Sequence, residues 1–294
     1  MKTQTVVGIF GVVSVTLACS FATVRTATPT PADQVGTIVA RTLEALTAVP
    51  SQSISTPIPN QTDGIPISYE NVSFVIPSGM ASSANTETMT SVDTNSGAPW
   101  EIAPTHLRFT LTGYQPQGKF HEPAIYVYPA DEYAQTNSIA SEQIERLKKA
   151  LAGSPLLKET LPNVPFFNAG HLMAAGIQLI KFQNGSGVRE LTQYDQYPAP
   201  INNHELFYHF EGLTSDNKYY IIAILPITAP VLAEDEKPES PIPTGGVSIP
   251  ASTGPTDVYY FSVTEKLNSL APDSFTPSLN ALDALIQSIL VKTP

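Results

Sequence analysis

Hydrophobic and polar positions are most clearly patterned over residues 206–226, LFYHFEGLTSDNKYYIIAILP. Two aromatic and β-branched runs flank the polar break Thr214-Ser215-Asp216-Asn217, the pattern of a β-hairpin with a longer turn. Side chains alternate along a strand, so Leu206, Tyr208 and Phe210 share one face, and Phe207, His209 and Glu211 the other. The second run, 219–225, is apolar on both faces, as a central strand covered on both sides would be. This hairpin is expected in the middle of the sheet.

The pattern elsewhere predicts the remaining elements. In 68–76, Val72, Phe74 and Ile76 share one parity before the stop Pro77-Ser78-Gly79, and 81–97 is polar and reads as a long loop. Leu107, Phe109 and Leu111 alternate in 106–111, and 124–128 is a strand ended by Pro129. A helix is expected over 138–151, with Ala140, Ile144, Leu147 and Leu151 on one face. Glu142 with Arg146 and Glu145 with Lys149 stand four apart in the favourable order, and Gly153 ends the helix. Residues 154–170 form a proline-punctuated loop with Phe166 and Phe167 pinned to the core. Apolar runs 177–182 and 188–194 flank Gln183-Asn184-Gly185-Ser186-Gly187, where Asn-Gly marks a hairpin. Residues 231–256 are acidic and rich in Pro, Ser and Gly, hence a mobile excursion. A helix over 257–270 would bury Val258, Phe261, Leu267 and Leu270. Thr276 as cap and Pro277 at the first position open a last helix, with Leu279, Leu282, Leu285, Ile286 and Ile289 as its buried stripe. The order defines an α+β class, an antiparallel sheet covered by helices, over 64–294.

The first 63 residues read differently. Lys2 precedes an uncharged stretch, 6–18, shorter than the ~20 residues that span a bilayer and suited to a secretory signal. It ends Val15-Thr16-Leu17-Ala18-Cys19, which resembles the bacterial lipobox, with Thr16 where a leucine usually stands. The resemblance implies a lipoprotein signal peptide over 1–18 and lipidation of Cys19. Residues 19–63 form a Thr/Pro-rich tether, interrupted by a short helix over 33–49 with Val35, Ile38, Val39, Leu43 and Leu46 at helical spacing. Its pattern resembles the membrane-proximal stalks of surface lipoproteins in single-membrane bacteria. The implied address is the outer face of the cytoplasmic membrane, held through lipidated Cys19.

The ends of the domain carry a second resemblance. Ser73-Phe74-Val75-Ile76-Pro77-Ser78-Gly79 and the closing Leu285-Ile286-Gln287-Ser288-Ile289 resemble the PsbP/DcrB-like family of lipoproteins and extrinsic photosystem subunits. Met80 stands where that family usually has tryptophan. The resemblance implies a sandwich fold and a non-catalytic scaffold or binding role, and transfers no functional residue.

Composition narrows the function. The net charge is −11, with pI near 4.8, which argues against nucleic acid, whose binding needs a basic footprint. One cysteine excludes an intrachain disulfide. His204-Glu205-Leu206-Phe207-Tyr208-His209 spaces its histidines five apart, one too many for a zinc-protease helix. Glu205, His209 and Glu211 share one strand parity and are weak metal candidates, against a half-solvated sheet face. No Gly-x-Ser-x-Gly elbow occurs, and Ser186 reads as a turn residue. His106, His121 and His171 read as surface or capping residues, and Trp100 as a core plug more than a carbohydrate platform. Arg189, Tyr194, Tyr197, Asn202, Asn203 and Tyr208 form the densest polar-aromatic patch, a candidate binding surface. No cofactor is expected. The expectation is a non-enzymatic lipid-anchored extracytoplasmic protein that binds a protein or envelope ligand. The alternative is an envelope hydrolase or metal-dependent enzyme using the Glu205/His209/Glu211 face.

Overall fold

A computed structural model describes residues 63–249 and 254–293; the signal peptide expected over 1–18, Cys19 and the helix expected over 33–49 lie outside the described residues. In chain order the elements begin with β1 (Gly64–Tyr69), β2 (Val72–Pro77), β3 (Ser83–Met89), β4 (His106–Thr112) and β5 (Ala124–Pro129). Helices α1 (Ala130–Thr136) and α2 (Ser138–Leu151) follow, then β6 (Gly170–His171), β7 (Ala175–Phe182), β8 (Gly185–Thr192) and β9 (Tyr194–Asp195). The chain closes with β10 (Phe207–Thr214), β11 (Tyr219–Pro226), α3 (Asp257–Asn268), α4 (Leu279–Gln287) and β12 (Leu290–Val291).

Seven strands form one sheet in the order β3-β4-β5-β11-β10-β8-β7, every neighbouring pair antiparallel. The hairpin expected at the centre is there. β11 lies between β5 and β10, and all of β10 and all of β11 beyond Tyr219 is buried. Tyr208, Phe210, Ile221, Ala223 and Leu225 enter a core completed by β2, α3 and α4. Phe207, Tyr220, Ile222 and Ile224 enter a second core completed by α1 and α2. Helices therefore cover both faces of the sheet, and the class is α+β. A three-stranded sheet, β1-β2-β12, and the two-stranded ribbon β6-β9 complete it.

Several elements differ from expectation for physical reasons. β3 lies inside the stretch read as a long loop, because an edge strand with an exposed face needs no apolar alternation; its sequence is Ser-Ala-Asn-Thr-Glu-Thr-Met. β1 precedes β2 as a hairpin partner through Glu70 and Asn71, with Glu70 at φ 50°. The β7–β8 turn is Gln183-Asn184, with Gly185 already paired to Phe182 and Ser186 inside the strand. α3 buries Tyr259, Val263 and Leu267, while Val258 and Phe261 face solvent. Two stripes on this short helix are equally apolar, and the tyrosine side won. α4 is capped by Ser278, whose Oγ accepts from the Ala281 amide, one residue beyond Pro277; its predicted stripe is buried. On α2, Glu145 pairs with Lys148 rather than Lys149.

The acidic segment 231–256 is tied down over the part described. Val231 and Leu232 are buried, and Val247 and Ile249 pack against the same core. Asn203 holds the segment's start: its Nδ2 donates to the Ala229 and Leu232 carbonyls, and its Oδ1 accepts from the Ala229 amide.

Glycines in β8 and β10 explain the tight packing of the middle strands. Gly187 and Gly212 are paired across β8 and β10, and a Cβ on either would lie within 2.7 Å of the Phe210 ring. Phe182 covers Gly185 in the same way, and the two rings meet edge to face at 6.2 Å. An aromatic ring laid over strand glycines replaces the packing they lack.

Candidate functional site

The hydrogen-bond register of the central strands builds a chain of titratable groups. His209 stands opposite Glu190 across β10 and β8, and Glu211 lies two residues along the same face. His209 Nδ1 is 3.0 Å from Glu190 Oε1, and Nε2 is 3.0 Å from Glu211 Oε1. The Tyr220 hydroxyl donates to Glu211 Oε2. At the other end, His171 Nε2 lies 3.2 Å from Glu190 Oε2, close enough for ionic attraction though not aligned as a hydrogen bond.

This chain is sealed beneath α1 and α2: His209 is 2% exposed and Glu211 0%. Burial alone would lower the His209 pKa, but the two carboxylates raise it to about 9. It is therefore an imidazolium at neutral pH. Burial pushes the Glu190 carboxyl up, yet His171 and His209 outweigh it and hold it low. Burial dominates at Glu211 and raises it. Buried charges persist where partners and hydrogen bonds answer them.

The metal candidates therefore do not form one face. β10 starts at Phe207, so Glu205 precedes it, half-buried, and its Oε2 accepts from Gln193 Nε2. His209 and Glu211 face inward rather than a half-solvated side. Glu205 instead joins Asp195 and Glu236, their carboxylate oxygens all within 4.8 Å of one another.

Around these three carboxylates lies a groove of about 560 Å³. Its walls are aromatic: Trp100, Phe120, Phe166, Phe167, Tyr194 and Tyr197, with His121 among them. Phe120 and Tyr197 are 65% and 52% exposed, so their ring faces are open to a ligand. The Tyr197 hydroxyl donates to Glu236 Oε2 at 2.5 Å, and that bond pushes its own pKa up to about 12. Burial, then the charges of Asp195 and Glu236, raise Glu205 to about 7. His121 stacks on Phe167 at 5.0 Å, and burial with the neighbouring His204 lowers it to about 4. Trp100 thus lines the groove rather than plugging the core. His106, read as a surface or capping residue, stacks on Tyr128 at 4.3 Å, and His171 stacks on Tyr194 at 5.1 Å.

The sequence patch is divided among three roles. Arg189 is buried on the α4 side of the sheet, Nη2 donating to Gln178 Oε1 and Nη1 3.4 Å from Asp283 Oδ1. The Tyr208 hydroxyl donates to the same Asp283 oxygen at 2.9 Å, so this trio holds α4 to the sheet. Asn202 and Asn203 are buried and structural; Asn202 Oδ1 accepts from the His204 and Glu205 amides and presents Glu205 to the groove. Tyr194 and Tyr197 line the groove. Sequence reasoning missed Asp195, Glu236 and Phe120, which three separate segments bring together.

Replacing Glu205 with glutamine tests these electrostatics. A carboxyl raised to about 7 loses folding stability as pH rises from its unfolded value of ~4.3 through 7. The variant is expected to melt above the parent at pH 8 by ~2 °C or more and equally at pH 4.5. Thermal melts at both pH values check this, and a parent that melts higher at pH 8 would contradict it.

No family model, curated protein or solved structure matches the chain. Among the described residues no helix is long and apolar enough to cross a membrane.

Proposed function

We propose that this is a non-enzymatic, lipid-anchored extracytoplasmic protein that binds a ligand or envelope component in the aromatic groove. The observation that carries the binding half is the groove itself: exposed rings around a cavity of about 560 Å³, the form of a recognition site. The anchoring half rests on the lipobox-like segment ending at Cys19, the chain's one cysteine. The two-faced α+β sheet is compatible with the PsbP/DcrB-like resemblance, which favours the same non-catalytic role. The hydrolase or metal-dependent alternative on the Glu205/His209/Glu211 face draws little support, because Glu205 is apart from His209 and Glu211, and the latter two are buried.

The anchoring half is tested by fractionating cells that express Cys19→Ser. The variant should leave the membrane fraction for the medium or accumulate as unprocessed precursor. Membrane-bound variant of mature size would refute the lipid anchor.

A further inference from the structure

We propose that the groove takes a small organic cation, an ammonium head carried on an apolar body. This deepens the binding reading and rests on it. Two features of the groove lead here independently of one another.

The first is charge. Asp195, Glu205 and Glu236 put three carboxylates within 4.8 Å of one another, and no lysine or arginine is among the lining residues. The neighbouring lysines are engaged elsewhere, Lys119 with Glu234 at 2.7 Å and Lys237 with Asp235 at 2.6 Å. The crowding is felt, since burial and its two acidic neighbours raise Glu205 to about 7. The donors these carboxylates do have, Tyr197, Gln193 and the Gln196 amide, are neutral, so a cation entering there would relieve their like-charge repulsion.

The second is the walls. Aromatic faces attract a cation through the ring quadrupole, and a desolvated ring contributes more than an exposed one. Trp100, Phe120 and Tyr197 all line the groove, and the methyl or methylene groups of an alkylammonium would displace water from these rings. A metal ion would gain nothing from them, so the walls favour an organic cation over an inorganic one.

The test is calorimetric titration of the full chain, purified in neutral detergent at pH 8, with choline, spermidine, cellobiose and calcium chloride. Choline or spermidine should bind saturably at one site. Glu205→Gln and Asp195→Asn should each weaken that binding about tenfold, the scale of one lost charge contact, and Phe120→Ala should weaken it several-fold. Melting curves confirm that each variant is folded. Choline carries a fixed charge, so its affinity should fall between pH 8 and pH 6 as Glu205 is protonated. Asp195, Glu236, Tyr197, His121 and His204 surround Glu205, and the loss should disappear in Glu205→Gln. Cellobiose binding without cation binding would overturn the ligand class and leave the groove reading intact. Calcium binding alone would overturn it in favour of an inorganic ion. Cation binding that the three variants leave unchanged places the site elsewhere, and no binding by any probe overturns both readings.

Discussion

His209→Ala is expected to destabilise the domain by ~3–5 kcal/mol at pH 7, as breaking one side of a buried ion pair does. The substitution leaves Glu190 and Glu211, both buried, facing an empty space between them without the imidazolium that bonds to each at 3.0 Å. That is a large share of the ~5–15 kcal/mol that holds an ordinary domain. The effect has a pH signature. A histidine raised to about 9 when folded contributes fully below its unfolded value of ~6.5 and loses that contribution as pH rises through 9. The gap between parent and variant in urea unfolding should therefore narrow from pH 7 to pH 9.5. A variant that unfolds like the parent at pH 7 would mean the chain is solvated.

Phe210→Ala is expected to cost about as much for a different reason. The ring is fully buried and occupies the space above the Gly187–Gly212 pair, against Phe182. Truncating a buried phenylalanine costs ~3–5 kcal/mol through lost transfer energy and the cavity left behind. Backbone on both central strands would then be uncovered. The complementary change, Gly187→Ala, places a Cβ 2.2 Å from the Glu211 carbonyl oxygen, so the strands must separate, and it should also destabilise. Urea unfolding of both variants checks the pair. Retention of parental stability by Gly187→Ala would contradict the close strand approach.

His209 and Phe210 lie on the same strand, yet only part of their surroundings was readable in the sequence. The hairpin of β10 and β11 was legible because its apolar run is continuous and its polar break is local. α2 and α4 were legible because each has one dominant apolar stripe. α3 has two, and nothing within 257–268 says that Tyr259, Val263 and Leu267 outrank Val258 and Phe261. β3 was invisible because an edge strand need not be apolar. His209 and Glu211 read as a solvated face because their partners lie elsewhere in the chain: Glu190 across a register and His171 on another ribbon. One signal was present, since two ionisable residues inside an otherwise apolar strand suggest mutual burial. The groove was least legible. Trp100, Phe120, Phe167, Tyr197, Glu205 and Glu236 come from separate segments, and no local pattern joins them. Of the polar-aromatic patch expected from the sequence, Tyr194 and Tyr197 line the groove. Arg189 and Tyr208 point to the opposite core.

The central claim is that the protein meets its ligand at the groove and that the buried acid–imidazole chain is architecture. The chain has one tryptophan, Trp100, and it lines that groove. Its indole N–H therefore gives a single resonance that reports on the site. The most direct measurement is this resonance, with those of the His171 and His209 rings, during titration with tetramethylammonium. The account predicts a saturable shift of the Trp100 signal while both imidazoles stay in place. An unmoved Trp100 signal alongside shifting His171 and His209 resonances would contradict it.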